Sequence, residues 1–255
     1  GNWIALLDAD DVMLRNRLQV QHELIAASPK NTVLVYSAFE YLFGPGMINS
    51  SGRTRWPVYP SKDLWPALRY KNVILPSTAT ILRSALLEVG SFHDSIVEDW
   101  HLWLRLAQRF SPQSFVSSPE CLVIYRQAAN TLSRNFRRMH SGHLEMLDTL
   151  LVTDLKGWRK KVWERRLKAR WYHFLSVDLR DSNDAQYWEF AIESLLTWPF
   201  FGKIVTRHRY TIFANMVYKR GRINLRLLLP SRPRRGTDGH KRPTVLAENN
   251  NVTKQ

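Results

Sequence analysis

The sequence predicts an α/β layer followed by a basic, wholly helical region. Three observations point there. Over residues 1–135 short apolar or β-branched runs alternate with segments of helical period. From about residue 137 to 229 the pattern is helical throughout, broken only at Gly157, near 181–184 and at Pro199. The charge shifts at nearly the same place. Residues 1–155 hold 15 Lys/Arg against 14 Asp/Glu, while 156–235 hold 19 against 6.

The elements follow in order. "WIALL" (3–7) is a continuous apolar run, as in a strand buried on both faces. "MLRNRLQVQHELIAASP" places Leu14, Leu18, Leu24 and Ile25 at helical spacing and is closed by Ser28-Pro29. "TVLVYSAFEYLF" (32–43) is β-branched and aromatic, a strand. The Gly-, Pro- and Ser-bearing stretch 44–60 predicts a long surface loop, and "KDLWPALRY" a short helix. Residues 77–92 read as a strand running into a short helix stopped by Gly90. "VEDWHLWLRLAQRF" (97–110) is amphipathic, with Trp100, Trp103, Leu104 and Ala107 on one face and Glu98 and Asp99 in the first turn. His101 of that helix is expected to face solvent. "CLVIYRQ" (121–127) is a further strand. The tail 230–255, rich in Pro, Gly and polar residues, is expected to be disordered.

The 255 residues, 44% hydrophobic with ten Trp, suffice for a packed core in one large domain or a domain with an appendage. The single cysteine, Cys121, excludes an intramolecular disulfide framework, fits a reducing compartment and is expected to be a buried strand residue. No apolar run is long enough to span a bilayer. The first residues already read as the inside of a strand, so the chain is expected to be a piece of a longer one.

The chemistry lies in carboxylates. Asp8, Asp10 and Asp11 stand where the first strand reaches its C-terminal end, the edge at which open α/β sheets bind ligands. Asp11 alone could serve as an N-cap for the next helix. Asp8 and Asp10 need another reason, since crowded carboxylates resist ionisation unless a cation compensates. Oxygen-only donors select Mg²⁺ or Mn²⁺, which leave positions for phosphate and water. Asp-x-Asp here therefore reads as a metal–diphosphate site. Glu98-Asp99 reads either as charge complementing a helix N-terminus or as a general base held rigid near an acceptor hydroxyl.

Three blocks in this order, "GNWIALLDADDVML", "LPSTATILRSALLEVGSFHDSIVEDWHLWLRLA" and "VIYRQAANTLSRN", resemble the second half of a family 2 glycosyltransferase with the GT-A fold. The likeness covers residues 1–136. It implies that Asp8 and Asp10 bind the divalent metal and the donor's diphosphate, with Asp11 as the usual following acid. It implies that Asp99 is the catalytic base, with Glu98 beside it, and that "PSTATILRSAL" lines the donor and acceptor pocket. Arg126 would pair with phosphate. A His often stands two residues after that Arg in relatives, and Ala128 takes its place here. The family's first βαβ units, which hold the nucleotide base and ribose, do not precede the Asp-x-Asp strand in this sequence. Residues 1–255 alone are accordingly expected to transfer little.

The implied reaction is inverting transfer of a sugar from a nucleotide-diphosphate donor to a hydroxyl acceptor. The acceptor would be a glycan or lipid-linked precursor of a cell-surface polysaccharide or glycolipid. Residues 1–136 then form the partial GT-A domain, 137–229 a basic α-helical appendage and 230–255 the tail. Region 156–235 interleaves aromatic residues with Lys and Arg, which suits an anionic membrane surface and hence a cytoplasmic protein at the inner face of the cell membrane. Nucleic acid is disfavoured, because no recognised binding module accompanies the charge. A second class of function stays open: a truncated, non-catalytic remnant that binds membrane surfaces or other polyanions.

Overall fold

A computed structural model describes residues 1–43, 56, 58–127, 135–153, 155–181, 184–202, 209–211 and 213–214. Most of the expected loop 44–60, the expected helix beyond 214 and the expected tail lie outside these residues. Within them, five strands form one sheet in the order β1-β4-β3-β5-β2. They are β1 (Trp3–Ala5), β2 (Val12–Met13), β3 (Leu34–Phe43), β4 (Thr80–Leu82) and β5 (Phe115–Gln127). β3 and β5 pair in parallel, while β4 runs antiparallel to both β1 and β3, and β2 antiparallel to β5. The helices are α1 (Arg17–Ala27), α2 (Ser61–Leu68), α3 (Arg83–Glu88), α4 (Glu98–Phe110), α5 (Phe136–Met146), α6 (Gly157–Asp181) and α7 (Tyr187–Thr197). The mixed α/β architecture is compatible with a nucleotide-sugar transferase-like fold.

Most elements form where the sequence places them. β3 is the buried centre: its residues Leu34, Val35, Tyr36 and Ala38 are almost wholly enclosed. Gly90 adopts φ +84° just past α3, a left-handed turn that favours glycine. Four readings need correction. β1 is not buried on both faces; among the described residues it is an edge strand paired only with β4, with Trp3 and Ile4 half-buried and Ala5 exposed. β5 begins six residues before the expected strand at Cys121. Pro119 and Glu120 look like a break in sequence, but they form a bulge, since Ser37 pairs with Ser118 while Ala38 pairs with Cys121. Proline lacks a ladder donor, so a bulge is where a strand accommodates it. Cys121, next to this bulge, is half-buried rather than enclosed.

α4 is the fourth case. It is buried nearly all round, including at His101, Leu102 and Leu106: α2 packs on it from one side and a π-helical turn (Leu147–Leu151) from another, and His93 and Arg105 cover His101. His101 is therefore not solvent-facing. It stacks on His93 with ring centroids 4.5 Å apart, and its Nδ1 accepts from Arg105 Nε at 3.0 Å. Burial, with Arg105 and His93 beside it, pushes its pKa down to about 4, so the ring is neutral at ordinary pH.

The described helical residues do not stand apart from the α/β layer. One apolar cluster runs from Leu34, Ile81 and Trp103 through Met146, Leu151 and Val152 to Leu167 and Trp171. Polar ties cross residue 136 as well. Arg69 donates to the Leu151 carbonyl at 3.0 and 3.2 Å while its guanidinium lies over the Trp163 ring. Gln108 donates to the Leu150 carbonyl at 2.7 Å.

Beneath the end of β1 lies a fully buried arginine. Arg17 donates to the carbonyls of Leu6 at 2.9 Å and Ala79 at 3.0 Å and to Gln21 Oε1 at 3.2 Å. Gln21 in turn donates to the Thr78 carbonyl at 2.7 Å and accepts from Thr80 Oγ1 at 2.7 Å. Burial lowers the Arg17 pKa to about 10, still well above neutrality, so the group stays charged. Arg17→Met should keep the bulk but leave the Leu6 carbonyl without its donor, at about 1–3 kcal/mol, while the Ala79 carbonyl keeps the Leu6 N–H. Urea denaturation is expected to show a loss of about 1–3 kcal/mol; a loss below about 1 kcal/mol would mean that water replaces the guanidinium.

Candidate functional site

A cleft of about 1380 Å³ gathers the carboxylates from both sequence blocks: Asp8 and Asp10 after β1, Glu98 and Asp99 at the start of α4. Each arrives by an identifiable device. The chain leaving β1 is fastened by Leu6 N–H donating to the Ala79 carbonyl at 3.0 Å and by Asp8 N–H donating to Ser77 Oγ at 2.9 Å. Ser77 lies in a short 3₁₀ turn (Pro76–Thr78) and is fully buried, so this anchor is rigid. Asp8 and Asp10 then point into the cleft from a tight turn, closed by Asp11 N–H donating to the Asp8 carbonyl at 3.1 Å.

Asp99 is held differently. Two tryptophans of α4 fasten the segment in front of it: Trp100 Nε1 donates to the Leu68 carbonyl at 2.7 Å, and Trp103 Nε1 to the Ile74 carbonyl at 3.0 Å. That segment carries Asn72, whose Nδ2 donates to Asp99 Oδ2 at 2.5 Å. Asp99 Oδ1 accepts from Trp100 N–H at 2.6 Å. Trp100 is thus committed to the core, only 3% exposed, with its indole nitrogen satisfied; this placement does not leave its face free to stack on a sugar.

The electrostatics separate the acids. Burial raises the Asp99 pKa to about 7, and the nearby charges of Glu98 and Asp8 push the same way against the hydrogen bonds from Trp100 and Asn72. Asp8 is raised by loss of water in the cleft and by Asp10 and Glu98, with Ser77 opposing. An anion-rich cleft of this kind is stabilised by a bound cation.

Asp11 and Arg126 do not line the cleft. Asp11 is 9% exposed and accepts from the Arg126 backbone N–H at 3.1 Å, tying the turn after β1 to β5. It is no N-cap, because α1 begins later, after Asn16. Burial raises its pKa, against hydrogen bonds from Ser77 and the Arg126 N–H. The Arg126 contact is made by the main chain, and its side chain is exposed.

Among the described residues, no group of three or more His, Cys, Asp or Glu is arranged to hold a metal unaided. Two exposed, mutually repelling carboxylates facing a cleft fit a different arrangement, in which a hard cation takes one or two carboxylates and fills its shell with phosphate and water.

The second wall of the cleft comes from two helices outside both carboxylate blocks. Arg138, Gly142 and His143 of α5 and Arg170, Trp171 and Phe174 of α6 line it. α5 approaches α4 closely at Gly142, where an added Cβ would stand 2.9 Å from Ile96 Cγ2 and 3.1 Å from Val97 Cγ2. His143 sits between Trp100 and Trp171, 5.3 Å from each ring. Burial and His140 lower its pKa to about 4, so it packs as a neutral ring. Asn72, Ser77, Gly142 and His143 were missed individually. Only Ser77 falls in a stretch, "PSTATILRSAL", that the sequence marks as pocket-lining.

No protein-family model matches the chain. The chain is similar to the UDP-Glc:alpha-D-GlcNAc-diphosphoundecaprenol beta-1,3-glucosyltransferase WfgD of Escherichia coli, with 28% identity over 138 residues, 53% of this chain and 49% of that protein. The chain thus matches about half the length of that curated relative. The likeness supports a glycosyltransferase at a coarse level.

Gly142→Ala should force the 96–97 segment to move, and overpacking of this kind costs about 1–3 kcal/mol. Thermal denaturation should register that loss. Unchanged stability would show that Ile96 and Val97 give way freely.

Proposed function

We propose that the chain carries the catalytic half of an inverting glycosyltransferase, which moves a sugar from a nucleotide-diphosphate donor to a hydroxyl group of the acceptor. The observation that carries this reading is the meeting of Asp8 and Asp10 with Glu98 and Asp99 on one cleft. The named substrate of the relative, a sugar on diphosphoundecaprenol, makes a lipid-linked glycan the acceptor class of choice.

Asp99 acts as general base. Its carboxylate removes the proton from the acceptor hydroxyl, and that oxygen attacks the anomeric carbon from the face opposite the leaving group. The bond from the anomeric carbon to the diphosphate breaks as the new glycosidic bond forms, the electron pair leaves with the nucleoside diphosphate, and configuration inverts. Asn72 and the Trp100 N–H orient the carboxylate. Burial, with Glu98 and Asp8 nearby, keeps its proton affinity high enough to accept the proton at neutral pH. Asp8 and Asp10 would hold a Mg²⁺ or Mn²⁺ ion with the diphosphate, which supplies charge neutralisation for the leaving group. Asp11 fixes the turn bearing the metal ligands, whereas Arg126, outside the cleft lining, takes no step in this reading.

Three measurements test this reading in the full-length protein. Asp99→Asn should lower transfer by about 10²–10⁴ with donor affinity nearly unchanged. With Asp99 intact, kcat/KM should rise with pH through about 7, because the base form appears only as the raised pKa is passed. Full activity in the Asn variant would remove Asp99 from the chemistry. For Asp10→Ala, calorimetric titration of donor should show a larger loss with Mn²⁺ present than without it. Equal losses would make Asp10 a structural residue.

A further inference from the structure

Four of the most exposed large apolar side chains among the described residues lie outside the lining of the cleft, at the start of α6 and around the end of α7. Trp158 is 71% exposed, Leu196 67%, Phe200 65% and Phe201 53%. Side chains this large, exposed together, are a partner surface rather than scattered surface residues.

They belong to one patch. Trp158, Lys161, Arg165 and Lys168 succeed one another at spacings of three, four and three, so they share a face of α6. Arg165 Nε donates to the Thr197 carbonyl at 2.9 Å, which lays the end of α7 along that face. The Arg166 guanidinium covers the Trp198 ring at 5.6 Å, and Trp198 meets Phe200 edge-on. Residues 198–202 therefore continue the surface begun by Trp158.

The surrounding charge selects the occupant. Residues 156–177 carry eight Lys/Arg against one acid, Glu164, which lies 3.8 Å from Lys160. Lys156, Arg159, Lys161 and Arg165 are exposed. Aromatic tips set among long basic side chains match the boundary of an anionic bilayer. The rings enter the headgroup region there while Lys and Arg reach the phosphates.

We propose that the start of α6 and residues 196–202 form a docking surface for an anionic phospholipid bilayer. The inference is independent of the chemistry assigned to the cleft. Sedimentation of the full chain with vesicles tests it, using phosphatidylcholine alone or mixed with phosphatidylglycerol. Binding is expected to the mixed vesicles and not to phosphatidylcholine alone. Trp158→Ala with Phe200→Ala should weaken it about tenfold or more, through lost apolar insertion. Arg159→Glu with Lys161→Glu should weaken it at least as much, and added salt should reduce binding by the wild type. All four side chains are exposed, so circular dichroism of the variants should match the parent. Equal binding to neutral vesicles would overturn the proposal. So would binding that neither variant changes, which would mean that another part of this chain covers the patch. Duplex RNA that binds at the same salt and is lost in both variants, without vesicle binding, would reassign the surface to nucleic acid.

Discussion

The site rests on a buried guanidinium. Arg17 reaches up from the first turn of α1 to two carbonyls, one in the strand end that leads to Asp8 and one beside the turn that carries Ser77. A charge with no water around it is costly unless every donor finds a partner. Here that requirement works as a constraint on geometry: the guanidinium is satisfied only when the exit of β1 and the start of β4 are side by side. Ser77 then receives the Asp8 N–H, and Asp11 joins the turn to β5. The carboxylates stand at the cleft because a cation below them fixes the backbone on which they ride.

The opposite wall obeys a packing constraint. α5 reaches the segment before Glu98 only because Gly142 has no side chain, and the gap is too narrow for even one methyl group, which would stand 2.9 Å from Ile96 Cγ2. His143 fills the space between two indoles and remains uncharged there. A protonated imidazole in that position would need an acceptor that the two rings do not supply. The cleft is thus bounded on one side by hydrogen bonds to main chain and on the other by close apolar contact. Both kinds of boundary favour a rigid shape.

Much of this was legible in the sequence because it depends on local pattern. The aromatic spacing of α4, the β-branched run of β3 and the turn at Gly90 all announce themselves within a few residues. The four cleft carboxylates are legible the same way, Asp8 and Asp10 at the end of an apolar run and Glu98 and Asp99 in the first turn of an amphipathic helix. What escaped depends on distant partners. Nothing beside His101 reveals that the His93 ring will stack on it. Nothing in "SSPEC" tells a bulge from a break until β3 is laid beside it. Asp11 looks like a helix cap because Asp is a good one, yet its acceptor capacity goes to the backbone of residue 126. Asn72 stands in a polar turn with no periodic signal, and only the hydrogen bond to Asp99 gives it a role.

The cleft is built almost entirely from contacts between parts of the chain that are remote in sequence. Asp8 meets Ser77 across 69 residues, Arg69 meets Leu151 across 82, and Asp11 meets Arg126 across 115. Contacts of that separation require large loops to close before they are rewarded, and they form slowly. The α6–α7 pair, by contrast, is local. A nascent chain would therefore form its helical hairpin readily, whereas the carboxylates emerge early and wait. They become a site only after α5 and α6 have left the ribosome and docked, so no shorter intermediate of synthesis carries a finished cleft.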